Sequence, residues 1–132
     1  MPADNAAIVR RIFDGLNRLD AEGVCELCDG DVVMDFSERV FNPHVYRAHE
    51  GVRRFCRDVD EAWDSYHWDV EETRVTGDAV IAMLHCQGRA REGAPGVDWR
   101  VAWLFELRNG RAVSLRFYRK RQEALEALGS SA

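Results

Sequence analysis

The sequence predicts an α+β domain in which three N-terminal helices cover one face of a curved, mixed or antiparallel sheet and enclose a pocket. Helical spacing of apolar residues dominates the first half, and strand-like alternation dominates the second half. The pair Asn109-Gly110 marks a hairpin turn between two of the predicted strands. Helices followed by a run of long antiparallel strands indicate this fold class, and a pocket is expected between the two layers.

Three helices are predicted ahead of the main run of strands. Residues 4–19 place Ile8, Ile12 and Leu16 at helical spacing, which indicates an amphipathic first helix. Asp20 is a suitable N-cap for a short second helix over residues 21–28. A third helix is predicted over residues 50–63, where apolar residues recur on one face.

The strands are recognised by alternation of apolar and polar residues. Residues 32–36 alternate between Val, Met and Phe on one face and more polar residues on the other, after a turn signal at Asp29 to Asp31. Further strands and a short helical tail are predicted at residues 68–75, 79–89, 97–107, 112–119 and 121–128.

Length and charge exclude several classes of function. The chain has 132 residues, the size of one domain, and a formal net charge of −5 at pH 7. A protein that binds nucleic acid needs a broad basic face, so nucleic acid is not expected as a partner. We also expect no membrane association, because the sequence has neither a long apolar run nor a signal peptide, and the predicted compartment is the cytoplasm.

Two groups of potential metal ligands are interpreted as structural. Cys25 and Cys28 form a C-x-x-C pair, but the sequence holds no second pair at zinc-like spacing, so they are predicted to be packed thiols. His44 and His49 stand at a loop-to-helix junction whose spacing gives no metal geometry. The sequence therefore predicts no metal site and no cofactor.

Several local sequences carry a resemblance to a known family. They are "LDAEGVCELCDGDVVMDF", "VYRAHEGVRRF", "GDAVIAML", "WLFELRNGRAVSLRFY" and "EALEALG". In this order they resemble the SnoaL-like branch of the nuclear transport factor 2-like superfamily, to which ketosteroid isomerase also belongs. The resemblance implies a single cone-shaped domain over residues 1–132, and a glycine often stands in this family where the chain has Ala48. It leaves function open, because the fold hosts isomerases, dehydratases, cyclases, epoxide hydrolases and binders without activity.

The resemblance also implies which side chains face the pocket. It places His85 and its alternate neighbours inward on one strand, and Arg100 with its even-numbered neighbours inward on the next. Tyr46 is expected at the pocket mouth. The predicted ligand-binding residues are Phe36, Tyr46, Trp63, Met83, His85, Gln87, Arg100, Leu104, Leu115, Phe117 and Arg119.

The same alignment places an apolar stripe on the outer face of the sheet. Trp99, Val101, Trp103 and Phe105 alternate along residues 97–107. A large exposed apolar patch usually marks an interface, so the stripe predicts a homodimer that pairs sheet to sheet.

Two functional hypotheses follow for the pocket. The positions that carry ketosteroid isomerase chemistry align with Ile12, Phe36 and Ala102, which are all apolar, so isomerisation of that kind is not expected. One hypothesis is a protein that binds an aromatic or polycyclic ligand with an acidic or enolic group. The alternative is an enzyme of the cyclase, dehydratase or isomerase type with His85 as general acid or base. Asp98 and Arg100 form either a rim ion pair or part of the site.

Overall fold

A computed structural model of the chain describes residues 4–39, 43–91 and 95–131. The described elements, in chain order, are α1 (Asn5–Asn17), α2 (Ala21–Glu26), β1 (Cys28–Phe36), β2 (His44–Arg47), α3 (Ala48–Ala62), β3 (Trp63–Thr76), β4 (Ala79–Ala90), β5 (Val97–Arg108), β6 (Arg111–Tyr118) and α4 (Arg121–Ser131).

The six strands form one curved, unclosed sheet in the order β2-β1-β6-β5-β4-β3. Strands β1 and β6 are parallel, and all other neighbours are antiparallel. Helices α1, α2 and α3 pack on one face, and α4 packs on the other face. The predicted α+β class with a mixed sheet is confirmed, as is the hairpin at Asn109-Gly110, where both residues have positive φ.

The elements differ from the sequence prediction in four respects. Only two helices precede the first strand, because β1 and β2 separate α2 from α3. The four-residue strand β2 was not predicted, since only Tyr46 among its residues is buried. Strand β3 begins at Trp63 rather than Trp68, because this edge strand is largely exposed and lacks clear alternation at its start. Cys28 opens β1, although the sequence placed it on α2.

The main core lies between the sheet and the three helices, and Trp103 is at its centre. Its ring centroid is 4.8 Å from that of Phe13 on α1 and 5.0 Å from that of Phe36 on β1. Phe36 in turn stacks on Phe55 of α3, with 4.9 Å between centroids. Aromatic pairs at these separations add to the stabilisation from buried area. Cys25 and Cys28 are buried free thiols in the same core.

A second, smaller core lies on the opposite face of the sheet. There α4 places Ala124 and Leu128 over Met83 of β4 and Ala102 and Leu104 of β5. Strands β4 and β5 are consequently buried on both faces through much of their length. This two-sided burial removes the alternation that would otherwise identify the inward side chains.

The predicted dimer interface is wrong, because the stripe belongs to the main core. Val101 is 5% exposed, Trp103 2% and Phe105 0%. Trp99 is partly buried and packs against the same core. Helices α1 and α3 cover this face of β5, so the stripe offers no surface to a second copy. Homodimer formation stays a prediction, now without a defined interface.

The junction between β2 and α3 has a strained backbone. Ala48 begins α3 with φ of 62°, in the left-handed region that favours glycine. Three residues later, a Cβ on Gly51 would lie 2.8 Å from the carbonyl carbon of Tyr46, so the close approach of strand and helix requires glycine there. The resembled family often has glycine at the position of Ala48, and the left-handed backbone found there explains why glycine is suitable.

Asn17 closes part of the open edge of the sheet. Its side-chain nitrogen donates to the carbonyl oxygen of Trp68 at 2.9 Å, and its oxygen accepts from the Trp68 N–H at 2.8 Å. The side chain therefore occupies the place of a neighbouring strand. Among the described helices the longest has 15 residues, and none is long and apolar enough to cross a membrane.

We predict that Ala48→Gly stabilises the protein by up to about 1 kcal/mol. A left-handed conformation costs a non-glycine residue about 1–2 kcal/mol, and the added freedom of glycine in the unfolded chain offsets about 0.4–1 kcal/mol of the gain. Urea unfolding measures the difference. Ala7→Gly, at an exposed position of α1, is the control and should destabilise by about 0.5–1 kcal/mol. A loss of stability in Ala48→Gly would contradict the assigned backbone conformation.

We predict that Asn17→Ala destabilises the protein by about 1–3 kcal/mol, because the N–H and the carbonyl of Trp68 both lose their partner. Arg10→Ala, on the exposed face of the same helix, should change the free energy of unfolding by no more than about 0.5 kcal/mol. Equal effects of the two substitutions in urea unfolding would show that the edge contact does not form.

Candidate functional site

A cavity of about 140 Å³ lies between α3 and the concave face of the sheet, and we call it the inner cavity. Eight of its lining residues are aromatic, and they include all four tryptophans of the chain. The lining residues are Phe36, Arg39, Phe55, Asp58, Val59, Ala62, Trp63, Tyr66, Trp68, Cys86, Trp99, Val101, Trp103 and Phe117.

The aromatic walls come from strands whose register brings the rings together. Cys86 on β4 is paired with Trp68 on β3 and with Trp99 on β5, and directly paired residues point to the same face. On the other side, Trp103 is paired with Phe117 of β6. The walls are thus fixed by backbone pairing and by ring contacts, which favours a largely preformed cavity.

A polar group of three side chains lies at the inner cavity. The Tyr46 hydroxyl donates to Asp58 Oδ2 at 2.7 Å, and a guanidinium nitrogen of Arg39 donates to the Tyr46 oxygen at 3.3 Å. The Arg39 guanidinium also lies 5.1 Å from the centroid of the Phe36 ring. Burial, followed by the hydrogen bond to Asp58, raises the pKa of Tyr46 above its usual range. Tyr46 is therefore a neutral hydrogen-bond donor at physiological pH.

Two further side chains of the inner cavity, Cys86 and Tyr66, carry a thiol and a phenol. Burial raises the pKa of Cys86 to about 12, and it also raises the pKa of Tyr66. Since the thiolate is the nucleophilic form of cysteine, Cys86 is an unreactive wall residue at neutral pH.

A second cavity of about 490 Å³ adjoins the first at the open edge of β5, and we call it the outer cavity. Pairing between β6 and β5 ends at Tyr118 and Ala102. The residues of β5 before Ala102 therefore have no β6 partner, and the outer cavity lies beside them. Four residues line both cavities, so the two meet there. The outer cavity is lined by Arg39, Asp98, Trp99, Arg100, Val101, Phe117 and Arg119.

His85 lies on the opposite face of the sheet from the inner cavity. It is paired with Asp69 on β3 and Arg100 on β5, and its Nε2 is 2.5 Å from Asp98 Oδ1. Gln87 donates to the other oxygen of Asp98 at 3.3 Å. The hydrogen bond from His85 lowers the pKa of Asp98. The cluster is a surface network that has no contact with the inner cavity.

The same outer face holds one group of side chains with metal-binding composition in the described part of the chain. Ligand atoms of Asp69, Glu71 and His85 lie within 4.8 Å of one another. Glu71 is already paired with Arg121 at 2.5 Å and with Arg100 at 3.4 Å. The hydrogen bond from Arg121 lowers the pKa of Glu71. A cation would have to compete with two guanidinium groups for this carboxylate.

Whether a predicted site residue has the predicted orientation depends on the strand that carries it. Those on β1, β6 and the α3–β3 junction have the expected orientation. Phe36, Trp63 and Phe117 line the inner cavity, Arg119 lines the outer cavity, and Leu115 is buried on the same face. Tyr46 was expected at the mouth; its ring is instead buried, and its hydroxyl reaches Asp58. The binding role of these residues stays a prediction.

The predicted inward orientation is wrong for the residues on β4 and β5. Met83 and Leu104 lie under α4, and His85 and Gln87 contact Asp98 on the outer face. Arg100 lines the outer cavity but pairs with Glu71 of the outer face. The error is a shift of one residue in the assumed register, which moves every side chain of a strand to the other face.

Sequence reasoning missed several wall residues and one polar group. The inner cavity is also lined by Asp58 on α3 and by six further residues of β3, β4 and β5: Tyr66, Trp68, Cys86, Trp99, Val101 and Trp103. The run of aromatic residues at alternate positions of β5 was the available signal, because such a row is unusual on an exposed face. Ala102 was one of the three positions aligned with ketosteroid isomerase chemistry, and its inward-facing neighbours Val101 and Trp103 also lack a carboxylate.

We predict that Tyr46→Phe destabilises the protein by about 1–2 kcal/mol at pH 7, because the buried hydroxyl bonds to a charged carboxylate. Tyr46 has a raised pKa in the folded state, so its contribution is complete below the ordinary tyrosine value of about 10 and is lost as the pH rises through the folded value. Urea unfolding of both proteins from pH 7 to pH 11 measures this difference.

Tyr118→Phe is the control for this prediction, because its ring packs at the second core. Its effect should stay within about 0.5 kcal/mol. A difference between wild type and Tyr46→Phe that grows above pH 10 would contradict the assigned hydrogen bond.

Comparison with known proteins agrees with the fold. Residues 9–115 match the family model of the SnoaL-like domain. The phenazine biosynthesis protein PhzA2 of Pseudomonas aeruginosa is 28% identical over 92 residues, which cover 66% of this chain and 57% of that protein. The chain therefore spans little more than half the length of this relative.

Two solved structures superpose over nearly the whole chain. An NTF2-like protein of Burkholderia pseudomallei has a TM-score of 0.77 at 20% identity, covering 94% of this chain and 96% of its own. The structure of TerC co-crystallised with polyporic acid has a TM-score of 0.76 at 16% identity, covering 95% and 98%. At such identities these neighbours show the fold alone. The family match over residues 9–115 shows that the chain belongs to the SnoaL-like domain family.

Proposed function

We propose that the protein binds a small aromatic ligand that carries an acidic or enolic group, with a ring in the inner cavity and the acidic group in the outer cavity. The observation that carries the proposal is the junction of an aromatic-lined cavity with a second cavity that contains arginine side chains. Such a combination of apolar walls and a few polar groups is typical of small-molecule sites.

The size of the inner cavity limits what can enter it. A dry protein cavity of about 150 Å³ is known to hold benzene, and the inner cavity has about 140 Å³. One six-membered ring therefore fits without rearrangement. The further rings of a polycyclic ligand would occupy the outer cavity of about 490 Å³, between Trp99 and Phe117.

The charges of the outer cavity favour an anionic group. Asp98 is engaged by His85 and Gln87, and Arg100 is engaged by Glu71. Arg119 is exposed at the end of β6 and lines the outer cavity together with Arg39. Guanidinium groups bind carboxylates and enolates through paired hydrogen bonds. This support rests mainly on Arg119, since Arg39 already donates to Tyr46, whereas the sequence prediction rested on His85, Arg100 and Arg119.

The relatives agree with an aromatic or acidic ligand. The curated relative is named for phenazine biosynthesis, and the structural neighbour TerC was co-crystallised with polyporic acid. Because the sequence match covers 57% of PhzA2 and the structural match has 16% identity, these names support the class of ligand and do not identify it.

The alternative is an enzyme that performs a cyclase-, dehydratase- or isomerase-type reaction on such a ligand. His85 cannot serve as the general acid or base of the inner cavity, since it lies on the outer face. Among the described lining residues Asp58 is the one carboxylate of the inner cavity, and it is held by Tyr46. An enzymatic role would therefore depend on proton transfer by Asp58 or Tyr46.

We predict that aromatic carboxylates raise the melting temperature more than the matching amides do. The test compares benzoate, phenylacetate and cinnamate with their amides in a thermal-shift assay. A ligand at a hundred times its dissociation constant stabilises the folded state by about 2.7 kcal/mol. Arg119→Leu should remove the advantage of the carboxylates, because it removes a guanidinium of the outer cavity.

Arg116→Leu is the matched control, since Arg116 lies on β6 three residues before Arg119, and its guanidinium packs over Tyr118, 5.2 Å from the ring centroid. It should leave the advantage of the carboxylates unchanged. Equal shifts for acids and amides in the wild type would reject the acidic group, and the absence of any shift across the panel would reject the proposed cavity as the binding site for such ligands.

A further inference from the structure

The inner and outer cavities differ in their charged side chains. The described lining of the inner cavity contains the carboxylate of Asp58, which is absent from the lining of the outer cavity. Arg119 lines the outer cavity and is absent from the inner one. Arg39 lies at the boundary and lines both. The outer cavity also contains the carboxylate of Asp98, but His85 and Gln87 already bind its two oxygens. A molecule that occupies both cavities therefore meets the carboxylate of Asp58 at the inner end and the guanidinium of Arg119 at the outer end.

The carboxylate of Asp58 is only partly engaged by the protein. The Tyr46 hydroxyl donates to Oδ2, and the Nε of Arg54 lies 3.9 Å from the same oxygen. Within residues 4–39, 43–91 and 95–131, no side chain or backbone group forms a hydrogen bond to Oδ1. An ionised carboxylate has two accepting oxygens and about four lone-pair sites. Asp58 thus keeps accepting capacity beside the aromatic walls of the inner cavity.

We infer that the ligand is bipolar and that Asp58 selects it: a hydroxyl or N–H group on the ring that enters the inner cavity donates to Asp58, while the acidic group of the same molecule meets Arg119. This inference rests on the proposed function and makes its ligand class narrower. Phenolic, enolic and amino-substituted aromatic acids belong to that class.

Selection follows from the cost of removing water from the carboxylate. A ring without a donor would displace water from Asp58 and return no hydrogen bond, which is unfavourable for a charged group. A ring with a donor at the right place restores that bond. Sites that hydrogen-bond a substrate hydroxyl discriminate strongly against analogues that lack it, because the polar group of the protein is then left unpaired.

A purely structural role for Asp58 makes a different prediction. If Asp58 served only to hold Tyr46 against Arg39, a donor on the ring would bring no gain in affinity, and substitution of Asp58 would weaken all ligands equally. The comparison of ligands with and without a donor therefore separates selection from positioning.

The experiment measures dissociation constants by titration calorimetry for three matched sets. Each set compares a para-hydroxy acid with its unsubstituted and its para-methoxy counterpart, in the benzoate, phenylacetate and cinnamate series. The different chain lengths cover different separations between the ring donor and the carboxylate. The methoxy group resembles the hydroxyl in position but cannot donate, so the wild-type protein alone provides one test.

The second part of the experiment uses Asp58→Asn, which keeps an oxygen for Tyr46 but removes the charge, and Asp60→Asn as the control. Asp60 is an exposed acid on the same helix, so the control makes the same change in net charge. Circular dichroism and the melting temperature establish that both variants are folded.

We expect at least one hydroxy acid to bind about tenfold or more tightly than its unsubstituted and methoxy counterparts, the effect of a hydrogen bond to a charged group. Asp58→Asn should reduce this preference to about twofold or less, and Asp60→Asn should keep it. Equal affinities of hydroxy and methoxy acids in the wild type would overturn the inference, as would a preference that persists in Asp58→Asn.

These outcomes are distinct from failure of the proposed function. If unsubstituted acids bind and Arg119→Leu weakens them, while the hydroxyl brings no gain, the inference fails and the proposed function stands. If no acid of any set binds, both fail together.

Discussion

The packing of Trp103 in the main core determines which face of β5 points into the protein. The indole lies between Phe13 of α1 and Phe36 of β1, with ring centroids 4.8 Å and 5.0 Å away. Because side chains alternate along a strand, this contact also turns Trp99 and Val101 toward α3. Backbone pairing then carries the same orientation to Cys86 on β4. The aromatic lining of the inner cavity therefore depends on how Trp103 packs.

The orientation of β5 also creates an apolar surface on the opposite side of the sheet. With the odd-numbered residues of β5 turned inward, Ala102 and Leu104 point outward beside Met83. Helix α4 covers them, and Arg121 at its start binds Glu71 and the carbonyl oxygen of Leu84. Glu71, which lies beside His85 on the outer face, thus holds the first residue of α4. The ion pairs of this cluster therefore have a structural role.

The types and order of most elements could be predicted from the sequence, because they depend on local signals. Apolar spacing identifies α1 and α3, and the hairpin turn at Asn109-Gly110 joins β5 to β6. Orientation within β4 and β5 could not be predicted in the same way. Both strands are apolar on both faces, so alternation does not separate them, and an error of one residue exchanges the faces.

The candidate site shows the same division. Phe36 and Phe117 were correctly oriented because they lie where β1 and β6 alternate between buried and less buried residues. Asp58 was not predicted, because it is recognised by its hydrogen bond from Tyr46, which lies twelve positions away in sequence. Contacts of this kind depend on how α3 packs against β2, which single-sequence patterns do not contain.

The orientation of β5 is also the foundation of the functional account, since it decides whether ligands meet tryptophans or His85. Intermolecular nuclear Overhauser effects with a bound aromatic acid test it directly. The account predicts contacts from the ligand ring to the Trp103 indole and to the methyl groups of Val101, and none to the methyl groups of Met83 or Leu104. Contacts from the ligand ring to Met83 or Leu104 would place the ligand on the outer face of the sheet and contradict the account.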